Sequence, residues 1–218
     1  MKHILAFSAL LLASLLCRAQ QPEEEAVPVV NWGVKVQANA SNFRMKNIPT
    51  MPELTSQMNI GGELGGFIDF NISRRFRLQF NLLWGYEQNT LDFGDRTAPM
   101  RAAVIEVPVF ALWRFGDARR GWLNIGGGPY TEFIVWGELE GVNPFRHVIT
   151  DDATGQQNIV TADSHSGLAA FVGYELPCGL RLNATYHFGI SDMLLFEHNS
   201  RDTYQRPQKV TLGLGWRF

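Results

Sequence analysis

Few side chains in this 218-residue chain stand where a reaction would need them. Ser191 and Asp192 are adjacent and His198 follows shortly, which supplies the parts of a nucleophilic acyl-transfer set without the spacing of a known motif. His147, Asp151, Asp152, Asp163 and His165 offer imidazole and carboxylate ligands for a divalent ion, again without tight ligand spacing. Cys178 sits in a Pro-Cys-Gly turn and reads as a small turn residue. The expectation is therefore no catalytic residue, no cofactor and no metal ligand. An apolar run, Met193-Leu194-Leu195-Phe196, is the remaining anomaly in a polar stretch. It suits packing over a mouth or docking a partner, and Met45, Ile48, Met51, Leu54 and Met58 can join the same cap.

Composition narrows the class. The chain is 45% hydrophobic but only 18% charged, below the ~25% of soluble domains. Nineteen basic residues against 21 acidic ones leave no electrostatic surplus for nucleic acid. Beyond the first twenty residues no apolar run is long enough for a membrane-spanning helix. Those first residues carry Lys2 and His3, an uncharged stretch from Ile4 to Cys17, and an Arg18-Ala19-Gln20 exit. That is the pattern of a secretory signal peptide, placed at residues 1–19. An acidic linker, 20–28, includes Glu23, Glu24 and Glu25, and one domain occupies 29–218. Cys17 leaves with the signal, so no internal disulfide is expected in the mature chain.

Within 29–218, eight segments alternate with period two, the signature of strands with two different faces. The first sets Trp32, Val34, Val36, Ala38 and Ala40 against Asn31, Gly33, Lys35, Gln37 and Asn39. Others follow at 60–72, 76–87, 103–115, 168–176, 180–190 and 210–218. The fifth, Trp122–Trp136, is interrupted by Gly126-Gly127-Gly128-Pro129, where a bulge would let the phase switch, and its faces are left unassigned. Short turns (71–75, 116–121, 177–179) alternate with long connections (41–59, 89–100, 137–164, 191–207). That rhythm describes an all-β, eight-stranded antiparallel up-and-down barrel.

Period two does not say which face is inside. Three observations place the apolar phase outside, against lipid. The polar phase is rich in Gly, Ala, Asn and Gln, which suits a cramped lumen better than a solvated surface. No charge enters the assigned apolar phases, as expected where one Arg or Lys at the bilayer midplane costs roughly 2–4 kcal/mol. Aromatic residues gather at both strand ends: Trp32, Trp113, Phe115, Tyr174, Trp216 and Phe218 at one, Trp84 and Tyr86 at the other. The interior then holds Lys35, Arg77, Arg114, Arg181 and Arg217 with Glu63, Asp69, Glu87, Glu106 and Glu175. Five of each sign predict a compensated polar plug, with Asp69–Arg77 and Glu175–Arg181 paired across short turns and His187 in reach of Glu106 or another interior carboxylate.

Ile105-Glu106-Val107-Pro108-Val109-Phe110-Ala111 resembles the hydrophobic-Glu-Ile-Pro-Leu strand of PorT-type outer-membrane β-barrel proteins of Bacteroidota. Gly126-Gly127-Gly128-Pro129-Tyr130 and the Ala19-Gln20 signal end look like the same group. Val210, Leu212, Leu214, Trp216 and Phe218 are similar to the terminal signal read by the outer-membrane barrel-insertion machinery. The resemblance implies a barrel in the outer membrane, surrounded by lipid, and little about activity, since fold does not imply function. The expected role is non-enzymatic: a scaffold or surface-loop binding protein meeting an envelope partner through its long loops, with a secretion accessory as a special case. The alternatives are a lipid-modifying enzyme of the lipid A acylation or deacylation type, and a narrow pore.

Overall fold

The computed structural model describes residues 29–46, 55–92, 97–139, 148–150, 157–159, 163–191 and 204–218. Among the described residues ten strands run in order: β1 (Val30–Lys46), β2 (Thr55–Asn71), β3 (Phe76–Asp92), β4 (Thr97–Asp117), β5 (Gly121–Leu139), β6 (Val148–Thr150), β7 (Gln157–Ile159), β8 (Ser164–Glu175), β9 (Leu180–Gly189) and β10 (Tyr204–Arg217). Eight of them close a ring of antiparallel neighbours, β1-β10-β9-β8-β5-β4-β3-β2, while β6 and β7 pair as a separate two-stranded sheet. Closure is made by β1, which pairs with β2 on one edge and with β10 on the other, from Gly33↔Arg217 to Lys46↔Tyr204.

The apolar phase does point out. Trp32, Val36, Leu64, Leu82, Leu182 and Leu212 are all exposed. Their alternates on the same strands, among them Lys35, Glu63, Asn81, Arg181 and Thr211, are buried. Aromatic residues mark two levels. At the short-turn end Trp32 stacks on Phe218 (4.5 Å between centroids) and Phe76 meets Trp113 edge-on (6.2 Å). At the other end Trp84 and Tyr86 share a level with Phe133 and Trp136, because Trp84 pairs through Ile105 and Tyr86 through Ala103. From Trp113 to Ala103 a tilted strand of about ten residues climbs roughly 25 Å, the height of an outer-membrane hydrocarbon band.

Beyond the upper aromatic level the sheet continues. The connections read as 41–59, 89–100 and 191–207 are largely strand at their ends: β1 reaches Lys46, β3 and β4 reach Asp92 and Thr97, and β10 starts at Tyr204. Polar residues there conceal the strands because no lipid dictates an apolar phase above the membrane. The short turns are as expected. In the β4–β5 turn Asp117 accepts the backbone N–H groups of Arg120 (2.8 Å) and Arg119 (2.9 Å), which hold its carboxyl below the usual carboxylate range. Cys178 is buried in the β8–β9 turn, where its small side chain fits.

The faces of β5 are now assigned. Asn124, Tyr130 and Glu132 are buried while Ile125 and Phe133 are exposed, so the phase passes through Gly126–Pro129 without switching. The slip comes later: Val104 pairs with Ile134 but Ala103 with Trp136, leaving Val135 and Trp136 both exposed. The inner glycines hide the alternation in the sequence, since they add no side chain to either pattern.

Leu82 sits midway between the aromatic levels on β3 and faces lipid. Leu82→Arg should lower unfolding free energy in lipid vesicles by roughly 2–4 kcal/mol. Denaturant titration measures it, and a change within about 0.5 kcal/mol would contradict the outward assignment.

Candidate functional site

The lumen is built in layers, each fixed by the inward phase of particular strands. At the short-turn end, β2, β3, β8, β9 and β10 contribute Asp69, Arg77, Glu175, Arg181 and Arg217. Arg77 reaches Glu175 (2.7 Å) and Asp69 (3.3 Å), and Arg181 reaches the same two acids (2.5 Å to Asp69, 3.0 Å to Glu175). Arg217 adds a third contact to Glu175 (2.7 Å). Both pairs expected across short turns are therefore present, inside a larger crossed network. Arg114 lies over the Trp122 ring (4.3 Å) and reaches Asn71 (3.4 Å), while Arg181 lies over Phe67 (4.3 Å). Phe67 fits because Gly33 faces it: a Cβ on Gly33 would stand 2.4 Å from the Phe67 ring.

Above this layer, the middle of the lumen is partly apolar. Phe110, Leu112, Tyr130, Ala169 and Phe171 pack together from β4, β5 and β8. The next layer centres on Lys209, whose ammonium meets four carboxylates: Glu63 (2.9 Å), Glu87 (3.0 Å), Glu132 (2.7 Å) and Glu106. Glu63 also accepts from Asn39 (2.8 Å) and from Gln37. Gly85 opens the space it needs, since a Cβ there would lie 2.9 Å from the Glu63 Cγ. His187 contacts Glu106 (3.3 Å), as expected, and His165 contacts Glu132 (3.5 Å). Both rings meet Tyr130 edge-on. A final apolar layer, Phe43, Leu91, Met100, Ala102 and Val104 with Ile134, fills the outer mouth.

Lys35, Glu63, Asp69, Arg77, Glu87, Glu106, Arg114, Glu175 and Arg181 are all buried inside, and Arg217 is partly exposed at the short-turn rim. Their arrangement differs from the expected even compensation. Acids collect around one lysine in the upper half and arginines dominate the lower half. Period two assigns a face, whereas height comes from register and strand tilt, which the alternation does not encode. The plug is also less polar than expected, because two apolar clusters share the inward phase. Lys209, Glu132 and His165 were missed: Lys209 fell just before the segment starting at Val210, Glu132 lay on the unassigned fifth strand, and His165 was grouped with a loop. The shared parity of Lys209 with Thr211, Gly213 and Arg217 was the available signal.

Of the nucleophile set, Ser191 alone lies among the described residues. The Ser191 hydroxyl donates to the Ser166 carbonyl (3.1 Å) and accepts the Ser166 N–H (2.6 Å), closing the end of the β8–β9 hairpin. Asp192, His198 and the run Met193, Leu194, Leu195, Phe196 lie outside the described residues, as do His147, Asp151, Asp152, Ile48, Met51 and Leu54. Among the described residues no group of three or more His, Cys, Asp or Glu is placed to hold a metal ion. Met58 is exposed near the start of β2.

The Lys209 cluster sets a clear expectation for mutagenesis. Lys209→Met leaves four acids without their shared cation and should cost roughly 3–5 kcal/mol. Adding Glu132→Gln should recover part of that loss. Equal stability of the single and double variants in a denaturant titration would contradict the shared role.

Comparisons agree with this architecture. The profile of the outer membrane protein beta-barrel domain family matches residues 19–195. No curated protein matches the sequence. Among solved structures, the outer membrane protein OprG of Pseudomonas aeruginosa is similar with a TM-score of 0.51 at 10% identity, covering 87% of this chain and 94% of OprG. Neisserial surface protein A gives 0.49 at 10% identity, covering 86% and 97%. Ail, the attachment invasion locus protein of Yersinia pestis, solved with a heparin analogue, gives 0.44 at 12% identity, covering 88% and 100%. The OprG likeness shows the fold alone, and no inference rests on the other two. With a lipid-facing apolar band, a filled lumen and a family match over most of its length, the chain belongs to the outer membrane protein beta-barrel domain family and resides in the outer membrane.

Proposed function

We propose that this barrel is a non-enzymatic envelope scaffold or surface-loop binding protein, of the PorT-type group of Bacteroidota, whose partner is another envelope component met through the long loops. A secretion accessory is a special case of that role. Residues 1–19 act as the cleaved signal and 20–28 as the linker to the barrel. The outward series Val210, Leu212, Leu214, Trp216 and Phe218 on β10 serves the insertion machinery during assembly.

One observation carries the reading: the lumen is occupied from the arginine layer at one end to the Phe43–Met100 cluster at the other. A filled interior favours work at the surface over transport. The strands that continue past the upper aromatic level support the same view, since they carry the loops clear of the headgroups. Met193, Leu194, Leu195 and Phe196 are the proposed docking run. The lipid-modifying alternative loses support from the Ser191 hydroxyl, which is engaged with the Ser166 backbone.

Photocrosslinkers at 193–196 should yield a discrete adduct in intact cells, while crosslinkers at Ser73 and Arg119 in the short turns should not. Adducts from the short turns only would contradict loop docking. In planar bilayers the protein should be electrically silent. A steady single-channel conductance would favour the pore instead, and a changed lipid A acyl pattern on deletion would favour the enzyme.

A further inference from the structure

We infer that the lower half of the lumen holds a single monatomic anion of halide size, bound between Lys35, Arg77 and Arg181. A cavity of about 10 Å³, with room for one water-sized sphere, lies where the arginine layer meets the apolar middle. Its polar lining is Lys35, Arg77, Arg181, Gln79, Asn124 and Asn183, so three cations face it and no carboxylate does.

The unsatisfied hydrogen-bonding groups point the same way. Arg77 is 1% exposed and Arg181 8%. Arg77 commits Nη1 to Glu175 and Asp69 and Nε to Asn71 (2.9 Å), which leaves Nη2 buried without a partner. Arg181 commits only Nη2 to the two acids, and its Nε and Nη1 have no hydrogen-bond partner. Asn183 Nδ2 is likewise buried and unpartnered. Four N–H-bearing atoms thus belong to residues lining one small space. The single unsatisfied acceptor on the lining is Asn124 Oδ1, whose amide nitrogen donates to the Trp122 carbonyl (3.0 Å).

Charge balance supports an anion over a neutral guest. In this layer Arg77, Arg181 and Arg217 share Asp69 and Glu175, with Arg114 beside them. Lys35 is also attracted by Glu63 and Glu106, but those acids gather at Lys209, and the cavity wall itself carries cations and no carboxylate. Water accepts at most two good hydrogen bonds and brings no charge, whereas an anion accepts from every donor and offsets the surplus. Phe67 from β2 and Phe171 from β8 complete the lining, and their apolar rings lower the local dielectric and strengthen the attraction.

The test uses the full chain refolded in detergent. At matched ionic strength, replacing sodium gluconate by sodium chloride should raise Tm by roughly 2–4 °C, saturably. Asn183→Asp supplies an internal negative charge at the site and should abolish that chloride dependence. Crystals of the wild type soaked in sodium bromide should show an anomalous peak between Lys35, Arg77 and Arg181. Identical melting in the two salts overturns the proposal. So does chloride dependence undiminished in Asn183→Asp, or density at the site without bromide signal, which marks water only.

Discussion

Every backbone N–H and C=O that crosses hydrocarbon must find its partner within the protein, and that requirement organises this molecule. A sheet meets it only when no edge is left, so β1 must pair with β10 as fully as with β2. Once the ring closes, period two turns each strand into a two-sided surface: one side meets lipid, the other a lumen too narrow for water to fill. The alternating apolar band goes out, and the charged and polar residues must be accommodated within, alongside two apolar clusters.

What goes within is costly unless paired, and the pairing has a vertical order. Lys209 draws four carboxylates from four strands to one level, while Asp69 and Glu175 are shared among arginines near the short turns. Between and above them lie apolar clusters that separate the two charge layers and seal the outer mouth. Interior glycines make this filling fit: Gly33 yields to Phe67, and Gly85 yields to Glu63. The barrel packs its charged and polar groups within and sets its apolar band outside.

Much of this was legible in the residues. The eight barrel strands, their order, the short turns and the outward face followed from alternation, because lipid imposes a strict rule on one phase; the β6–β7 pair, inside the connection read as 137–164, did not. The rule lapses above the membrane, so the strand extensions at 41–46, 97–100 and 204–207 read as loop, and Lys209 fell between that loop and the segment starting at Val210. It also lapses where glycine occupies the inward phase, which is why Glu132 and Tyr130 went unassigned beside Gly126 and Gly128. The split of acids and bases into two levels was beyond reach, since it depends on register and tilt summed around the ring. The candidate binding run at 193–196 lies outside the described residues, and its docking role rests on composition.

The central claim is that the apolar phase touches hydrocarbon. Nitroxide labels at Val36, Leu82 and Leu182 in vesicle-reconstituted protein test it most directly, by comparing collision with oxygen and with a water-soluble nickel chelate. The account predicts strong oxygen and weak nickel accessibility at all three positions, together with mobility typical of lipid-facing sites. Labels that are immobile and shielded from both reagents, as in a packed protein core, would contradict it.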